Sequence, residues 1–458
     1  MLTVHDPEAF DPTAVEVFRC TGFDLDEATS TIRLGYALDD ISFTEELVLP
    51  PGGVASAADE ALVRLLWLAA APSYFKAAAP LSVVVESGLA ESERAFLAAL
   101  LGPGLGEFSY VNGLDPGPPL IEGPTIAHAP VRAPGLQRRA VVPIGGGKDS
   151  CVTLQALHDA GEMPLLGTVR AFPVIDAVVG RSGAARLLVE RTIDPLLGRL
   201  NALGARNGHV PVTATVSLAM CLAAVRAGCD TVVMSDERSS SEANLDWRGA
   251  AINHQWSKSL AAEEQIASLV ADATGEGLHW FSLLRPFSEL AICRLFAERG
   301  ARYFDVFSSC NAAFRLDPAR RIDGWDRSCP KCRFVALALA PWLDREQVVS
   351  IQGGDVLDDP NQIEGLLALV AAGADKPFEC VGEVAESRVA VRLALESGRG
   401  WEGAVALDAL AGRLRDDGVW PTAHDVAEAL TPDLSLTHLV PQDYRGVVDD
   451  LAGAAAPR

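Results

Sequence analysis

Apolar and polar positions divide the chain into three stretches of different character. Short strand-like runs, Thr31 to Leu38 and Glu46 to Leu49, precede a helical stretch, Ala58 to Ala71. The glycine- and proline-rich segment Leu114 to Pro124 reads as a linker closing an N-terminal α+β module over residues 1–125. Residues 126–341 alternate strands and helices, which predicts a parallel sheet with helices on both faces. The strands fall at Val141 to Ile144, Leu165 to Ala171 and Thr231 to Met234. The helices follow Lys148 to about Gly161, then span Gly183 to Leu203, Ser217 to Ala227 and Leu260 to Ala273. From Trp342 onward, over residues 342–458, the chain is alanine-rich and mostly helical, with one interruption at Lys376 to Cys380. The fold class is therefore α/β, with an α+β module before it and a helical region after it.

One junction carries more chemistry than the rest. Ala140 to Leu154 reads AVVPIGGGKDSCVTL: an apolar strand, three glycines, then Lys148-Asp149-Ser150 opening a helix. Successive glycines let backbone N–H groups turn outward, and the first turn of the helix aims its own N–H groups at the same spot. The spacing fits neither a Walker loop nor a dinucleotide G-x-G-x-x-G. It resembles the SGGxDS motif of the PP-loop ATP pyrophosphatases, with Gly145 in place of the usual serine, Gly146 and Gly147 as the glycines, and Asp149 and Ser150 closing it. That resemblance implies cleavage of ATP to AMP and pyrophosphate. The strand ending at Met234 runs into Ser235-Asp236-Glu237, and ligands of open α/β sheets lie beyond the carboxyl ends of strands.

Composition narrows the function classes. The chain has 458 residues, 49% hydrophobic and 22% charged, with a formal net charge of -23. Such acidity argues against a broad basic footprint for nucleic acid or an anionic membrane. Residues 1–60 hold thirteen acidic side chains against Arg19 and Arg33. The first residues lack a signal-peptide pattern and no run of about eighteen apolar residues occurs, so a cytoplasmic protein with reduced thiols is expected.

Cys310 to Arg333 reads CNAAFRLDPARRIDGWDRSCPKCR. Cys329 and Cys332 have the chelate spacing of a zinc site, with Cys310 as a third ligand; Cys293 or His279 would have to be brought in as the fourth. Reduced thiols or a redox pair are the other readings. Six basic residues, among them Arg315, Arg320 and Arg321, outnumber three acids in this stretch. Together with Arg285 they are candidates for an anionic substrate.

In order along the chain, GGGKDS at 145–150, MSDERSSSEAN at 234–244, NHQWSKS at 253–259, SLLRPFSELAI at 282–292, SSCNAAF at 308–314, SCPKCRF at 328–334 and KPFECVGE at 376–383 resemble the UDP-N-acetylmuramoyl-L-alanyl-L-glutamate epimerase family. The resemblance implies inversion of the terminal L-glutamate of that UDP-linked peptide, with ATP and magnesium. On that view Gly145, Gly146, Gly147, Lys148 and Ser150 hold phosphate, and Asp149 binds magnesium. Ser235, Asp236 and Glu237 complete the metal or ribose contacts. Cys310, Cys380, His254 and Glu379 are candidates for the proton transfers, since thiols and imidazoles exchange protons near neutral pH. A PP-loop enzyme that modifies tRNA or a deazapurine base is the alternative, supported by the C-x-x-C pair and the local basic cluster.

Overall fold

The computed structural model describes residues 10–53, 56–129, 131–133, 135–315, 317–371 and 376–455. Its strands are β1 (Val17–Asp26), β2 (Thr31–Leu38), β3 (Ile41–Val48), β4 (Ser82–Val85), β5 (Leu120–Glu122), β6 (Gln137–Pro143), β7 (Leu165–Val169), β8 (Arg186–Thr192), β9 (Cys229–Met234), β10 (Leu245–Trp247), β11 (Ala250–Ile252) and β12 (His279–Ser282). Ten of them form one sheet in the order β12-β9-β6-β7-β8-β3-β2-β1-β4-β5, while β10 and β11 make a separate hairpin. The β12-β9-β6-β7-β8 half is wholly parallel.

Alternation along these strands sorts side chains onto two cores. Val141, Val232 and Trp280 face one side, packed with the helices Ala57–Ala70, Val212–Arg226 and Leu260–Thr274. Ala140, Val142, Val233 and Phe281 face the other, against Lys148–Asp159, Glu289–Arg299 and the C-terminal helices. Burial on both faces explains the continuous apolar stretches over residues 140–142 in β6 and 232–234 in β9.

The structure differs from the sequence reading in three places. The helix expected over Gly183 to Leu203 is instead β8 followed by the helix Pro195–Ala202. Gly183, in the left-handed conformation, ends an unforeseen helix, Pro173–Ser182, and Pro195 starts the next one after an Asp194 cap. The Leu114 to Pro124 linker contains β5, paired in parallel with β4. Third, the N-terminal strands do not stand apart, because β3 pairs antiparallel with β8 and carries the sheet across.

A buried ion pair pins that seam. Arg191 on β8 donates to both oxygens of Glu45 on β3, at 2.7 and 3.2 Å, and Glu45 is wholly buried. Removing one partner would leave an uncompensated interior charge. Glu45→Ala is therefore expected to cost about 3–5 kcal/mol of stability, read by urea unfolding; a loss under about 1 kcal/mol would show that the seam does not depend on the pair.

Candidate functional site

The carboxyl ends of the neighbouring strands β6, β9 and β12 bring three segments together. After β6 comes the glycine loop. Gly146 has φ +81°, and a Cβ there would lie 2.8 Å from Val174 Cγ1. Gly145 is exposed, with nothing within 4 Å of a Cβ built on it, so the missing serine reflects no steric exclusion. Gly147 caps the helix Lys148–Asp159 without a side-chain acceptor, which leaves first-turn N–H groups for an anion. Ser150 Oγ donates to Gly147 O at 3.2 Å, and Ser308 N–H donates to Gly146 O at 3.0 Å, bracing the loop from both sides.

Behind the loop lies a set of buried charges. Lys148, 2% exposed, places Nζ 2.5 Å from both Asp149 Oδ1 and Glu289 Oε2. Burial pulls its pKa down, but the two carboxylates outweigh this and hold it above the usual lysine value. Lys148 thus neutralises carboxylates, and Asp149 remains partly exposed at the loop. After β9, Ser235 Oγ donates to Thr153 Oγ1 at 2.8 Å. Burial raises the pKa of Asp236 to about 7, against the pull of Lys258 and Arg285. Glu237 is 1% exposed, and neither of its carboxylate oxygens has a hydrogen-bond partner. Two oxygens so placed suit a hard cation, which needs only one or two carboxylates when phosphates supply the rest.

Arg285 takes a different position from the one expected of a substrate ligand. It is buried, with Nε on Glu263 at 2.5 Å and its other nitrogens on Glu237 O, Ser240 Oγ and Lys258 O. It fixes the two loop backbones around the site. Arg315 and Arg321 bond backbone carbonyls of their own loop, Arg321 lies over the Phe172 ring at 4.9 Å, and Arg320 is exposed.

The proton-transfer candidates separate into two groups. His254 sits between the Glu107 carboxylate, at Nδ1, and the Cys380 thiol. Asn244 joins the two segments involved, accepting from His254 N–H at 2.9 Å and donating to Pro377 O at 2.8 Å. Burial pushes Cys380 up, yet Lys331, Lys258 and His254 together bring it down to about 6. Burial pushes His254 down, yet Cys380 and Glu107 raise it to about 9. The two shifts run in opposite directions, each favouring the charged form of its group. His209 packs against His254 with ring centroids 4.2 Å apart and planes tilted by 41°, and burial lowers its pKa to about 3. Glu379 instead accepts from Asn311 Nδ2 at 2.6 Å.

Cys310 belongs elsewhere. It lies with Cys329, Cys332 and Asp326 in a group whose ligand atoms are all within 4.8 Å of one another. Cys293 is buried beside Lys148, and His279 is exposed on β12, so neither supplies the fourth donor. A second such group is Glu107, His209 and His254. Sequence reasoning missed Glu107, His209, Lys258 and Asp326. Lys258 stood inside the NHQWSKS motif and Asp326 inside the cysteine stretch, whereas nothing local marks Glu107.

Comparison with known proteins places the chain. The MurL N-terminal domain matches residues 9–283 and the MurL C-terminal domain residues 306–424. The chain belongs to the MurL family. A UDP-N-acetyl-alpha-D-muramoyl-L-alanyl-L-glutamate epimerase of a Micromonospora species is 42% identical over 447 residues, covering 94% of this chain and 97% of that protein. The Salinispora tropica protein of the same name is 42% identical, over 89% of this chain and 91% of its own length. That of Xanthomonas oryzae pv. oryzae is 41% identical, over 84% and 86%. In this MurL-family chain the matched regions contain the glycine loop, Glu237, His254, the four-donor group and Cys380. Among the described residues no helix is long and apolar enough to cross a membrane.

The two adjacent glycines give opposite expectations. Gly146→Ala forces an L-residue into left-handed backbone against Val174 and is expected to cost about 1–2 kcal/mol or more. Gly145→Ser, in open space, should stay within about 0.5 kcal/mol of the parent. Thermal unfolding of both variants checks this, and equal losses would refute the loop geometry.

Proposed function

We propose that this chain catalyses the reaction its relatives are named for, inverting the terminal L-glutamate of UDP-N-acetylmuramoyl-L-alanyl-L-glutamate, and that it does so by adenylating the glutamate carboxylate. The observation that carries the reading is Glu237, a buried carboxylate with two unpartnered oxygens just after β9, the strand paired with the one that leads into the glycine loop. Burial opposes the charge of Lys258, but Glu237, Cys380, Asp236 and Asp149 hold its pKa above the usual value, so the same cation bears on Asp149 of the glycine loop, on the two acids after β9 and on the thiol.

Chemistry explains why the two halves belong together. An α-proton beside an ionised carboxylate is hard to remove, because the carbanion would adjoin a negative charge. The carboxylate oxygen attacks the α-phosphorus of ATP, the bond to the β-phosphate oxygen breaks, and pyrophosphate leaves. The acyl adenylate carries no carboxylate charge, and its carbonyl accepts the electron pair freed when the α-proton is taken. Donors positioned at that oxygen stabilise the enolate. A proton returns to the opposite face, and water splits the anhydride into AMP and the D-glutamyl product.

This chain's residues divide those tasks. The N–H groups of the glycine loop and of the helix behind it receive the phosphates. Asp149, Asp236 and Glu237 would hold magnesium, which would supply charge neutralisation there. Cys380 takes the α-proton, and His254, oriented by Glu107, keeps the sulfur ionised while Lys258 and Lys331 add positive charge. The membership of the family and the names of its relatives support the substrate.

Incubation with ATP, magnesium and the UDP-linked peptide should yield AMP with D-glutamate, both dependent on the peptide. AMP without inversion would overturn the epimerase reading. Asp149→Asn should abolish pyrophosphate release with the fold intact. Cys380→Ser should retain ATP–pyrophosphate exchange while inversion falls about 10²–10⁴-fold. Equal loss of both partial reactions would remove Cys380 from the proton transfer.

The pH profile follows from the ion pair. Cys380 is competent as a base above about 6, and His254 stays protonated below about 9. Inversion should rise through the first value and fall through the second. His254→Asn removes a cation from the thiolate, so the acidic limb should move to higher pH; an unmoved limb would show that it does not belong to Cys380.

A further inference from the structure

We propose that Cys310, Asp326, Cys329 and Cys332 bind one structural zinc ion. The donors come from two separate turns and close on one point. Cys329 Sγ lies 3.9 Å from Cys310 Sγ and 3.4 Å from Cys332 Sγ, and Cys332 Sγ lies 3.2 Å from Asp326 Oδ1. Zinc–sulfur bonds of about 2.3 Å in a tetrahedron put sulfurs about 3.8 Å apart, so the observed edges bracket the expected one. A disulfide would need the sulfurs at roughly 2.0 Å, and here three thiols and a carboxylate share the space rather than two thiols.

The surroundings suit bound thiolates. Asp326 N–H points at Cys310 Sγ and Cys332 N–H at Cys329 Sγ, each at 3.4 Å. Asp326 Oδ1 also accepts from Ser328 N–H and Cys329 N–H at 3.0 Å, which fixes its direction. Cys310 and Cys332 are wholly buried. Three thiolates and one carboxylate around a divalent cation leave a net charge near minus two, in a stretch of chain that also carries Arg327, Lys331 and Arg333.

The site joins the two halves of the catalytic region. Cys310 N–H donates to Ser308 Oγ at 3.0 Å, and Ser308 N–H braces Gly146. Lys331, between two of the ligands, is a cation that acts on Cys380. A zinc ion here would hold both elements in register. That consequence rests on the function proposed above, whereas metal content does not.

The test is metal analysis of the intact chain purified in a reductant that does not bind metal, without chelator. About one zinc per chain is expected, retained in His209→Ala, which disrupts the other donor group. Asp326→Ala and Cys329→Ser should each lower zinc affinity at least about 100-fold in competition with a chromogenic chelator. Because those variants could fold poorly, the parent protein is also stripped and reloaded with cobalt chloride. A thiolate-to-cobalt charge-transfer band with tetrahedral visible absorption is the expected signature. Zinc below a tenth of the chain concentration, iron in its place, zinc lost only with His209→Ala, or a Cys329–Cys332 disulfide in metal-free protein would each overturn the proposal.

Discussion

The charge buried where β6, β9 and β12 end is the constraint on which the rest of the site depends. Asp149, Asp236, Glu237, Glu263 and Glu289 converge there with Lys148, Lys258 and Arg285. Each carboxylate removed from water is tolerable only with a cation or a set of N–H donors beside it. Lys148 answers Asp149 and Glu289, and Arg285 answers Glu263 while fastening the backbone at Glu237, Ser240 and Lys258. Glu237 keeps two buried oxygens without a hydrogen-bond partner. Buried oxygens left without a donor in such a cluster are open to a ligand.

This compensation explains the architecture around it. Glu289 opens the helix Glu289–Arg299, and its N–H bonds Ser239 Oγ, so the loop after β9 and the helix after β12 are tied at the same point that neutralises Lys148. Glu386, from the C-terminal helical region, accepts from Ser239 and from Leu290 N–H. The helical region is thus anchored to the site by buried polar bonds as well as by its apolar packing. Such bonds are directional, and they set the register in which Cys380 reaches His254.

The sequence revealed the parts whose chemistry is local. Three glycines between an apolar strand and a helix can be read without a fold, and β2, the helix Ala57–Ala70 and the helix Leu260–Thr274 carry their signals within a few turns. The order of short motifs likewise pointed to the family. What stayed hidden is long-range. RLLVERT became β8 because β7 and β3 offered edges on either side, and no window around residues 183–203 contains that information. Glu107 meets His254 across 147 positions, and Arg285 looked like an anion receptor until its acceptors were placed around it.

The same point separates the thiols proposed for proton transfer. From sequence, Cys310 and Cys380 were equivalent candidates, each a thiol able to exchange a proton near neutral pH. Their neighbours separate them. Cys310 is enclosed by two other thiols, a carboxylate and N–H groups directed at sulfur, an environment that orients a ligand and offers no path to a substrate. Cys380 faces an imidazole and the fields of two lysines, one of them also facing Glu237 and Asp149. A base must hold a proton only transiently, so it needs an environment that stabilises the thiolate without binding it permanently. Hydrogen bonding to His254 meets that requirement, and coordination would not. The roles proposed for the two cysteines therefore rest on what surrounds each sulfur.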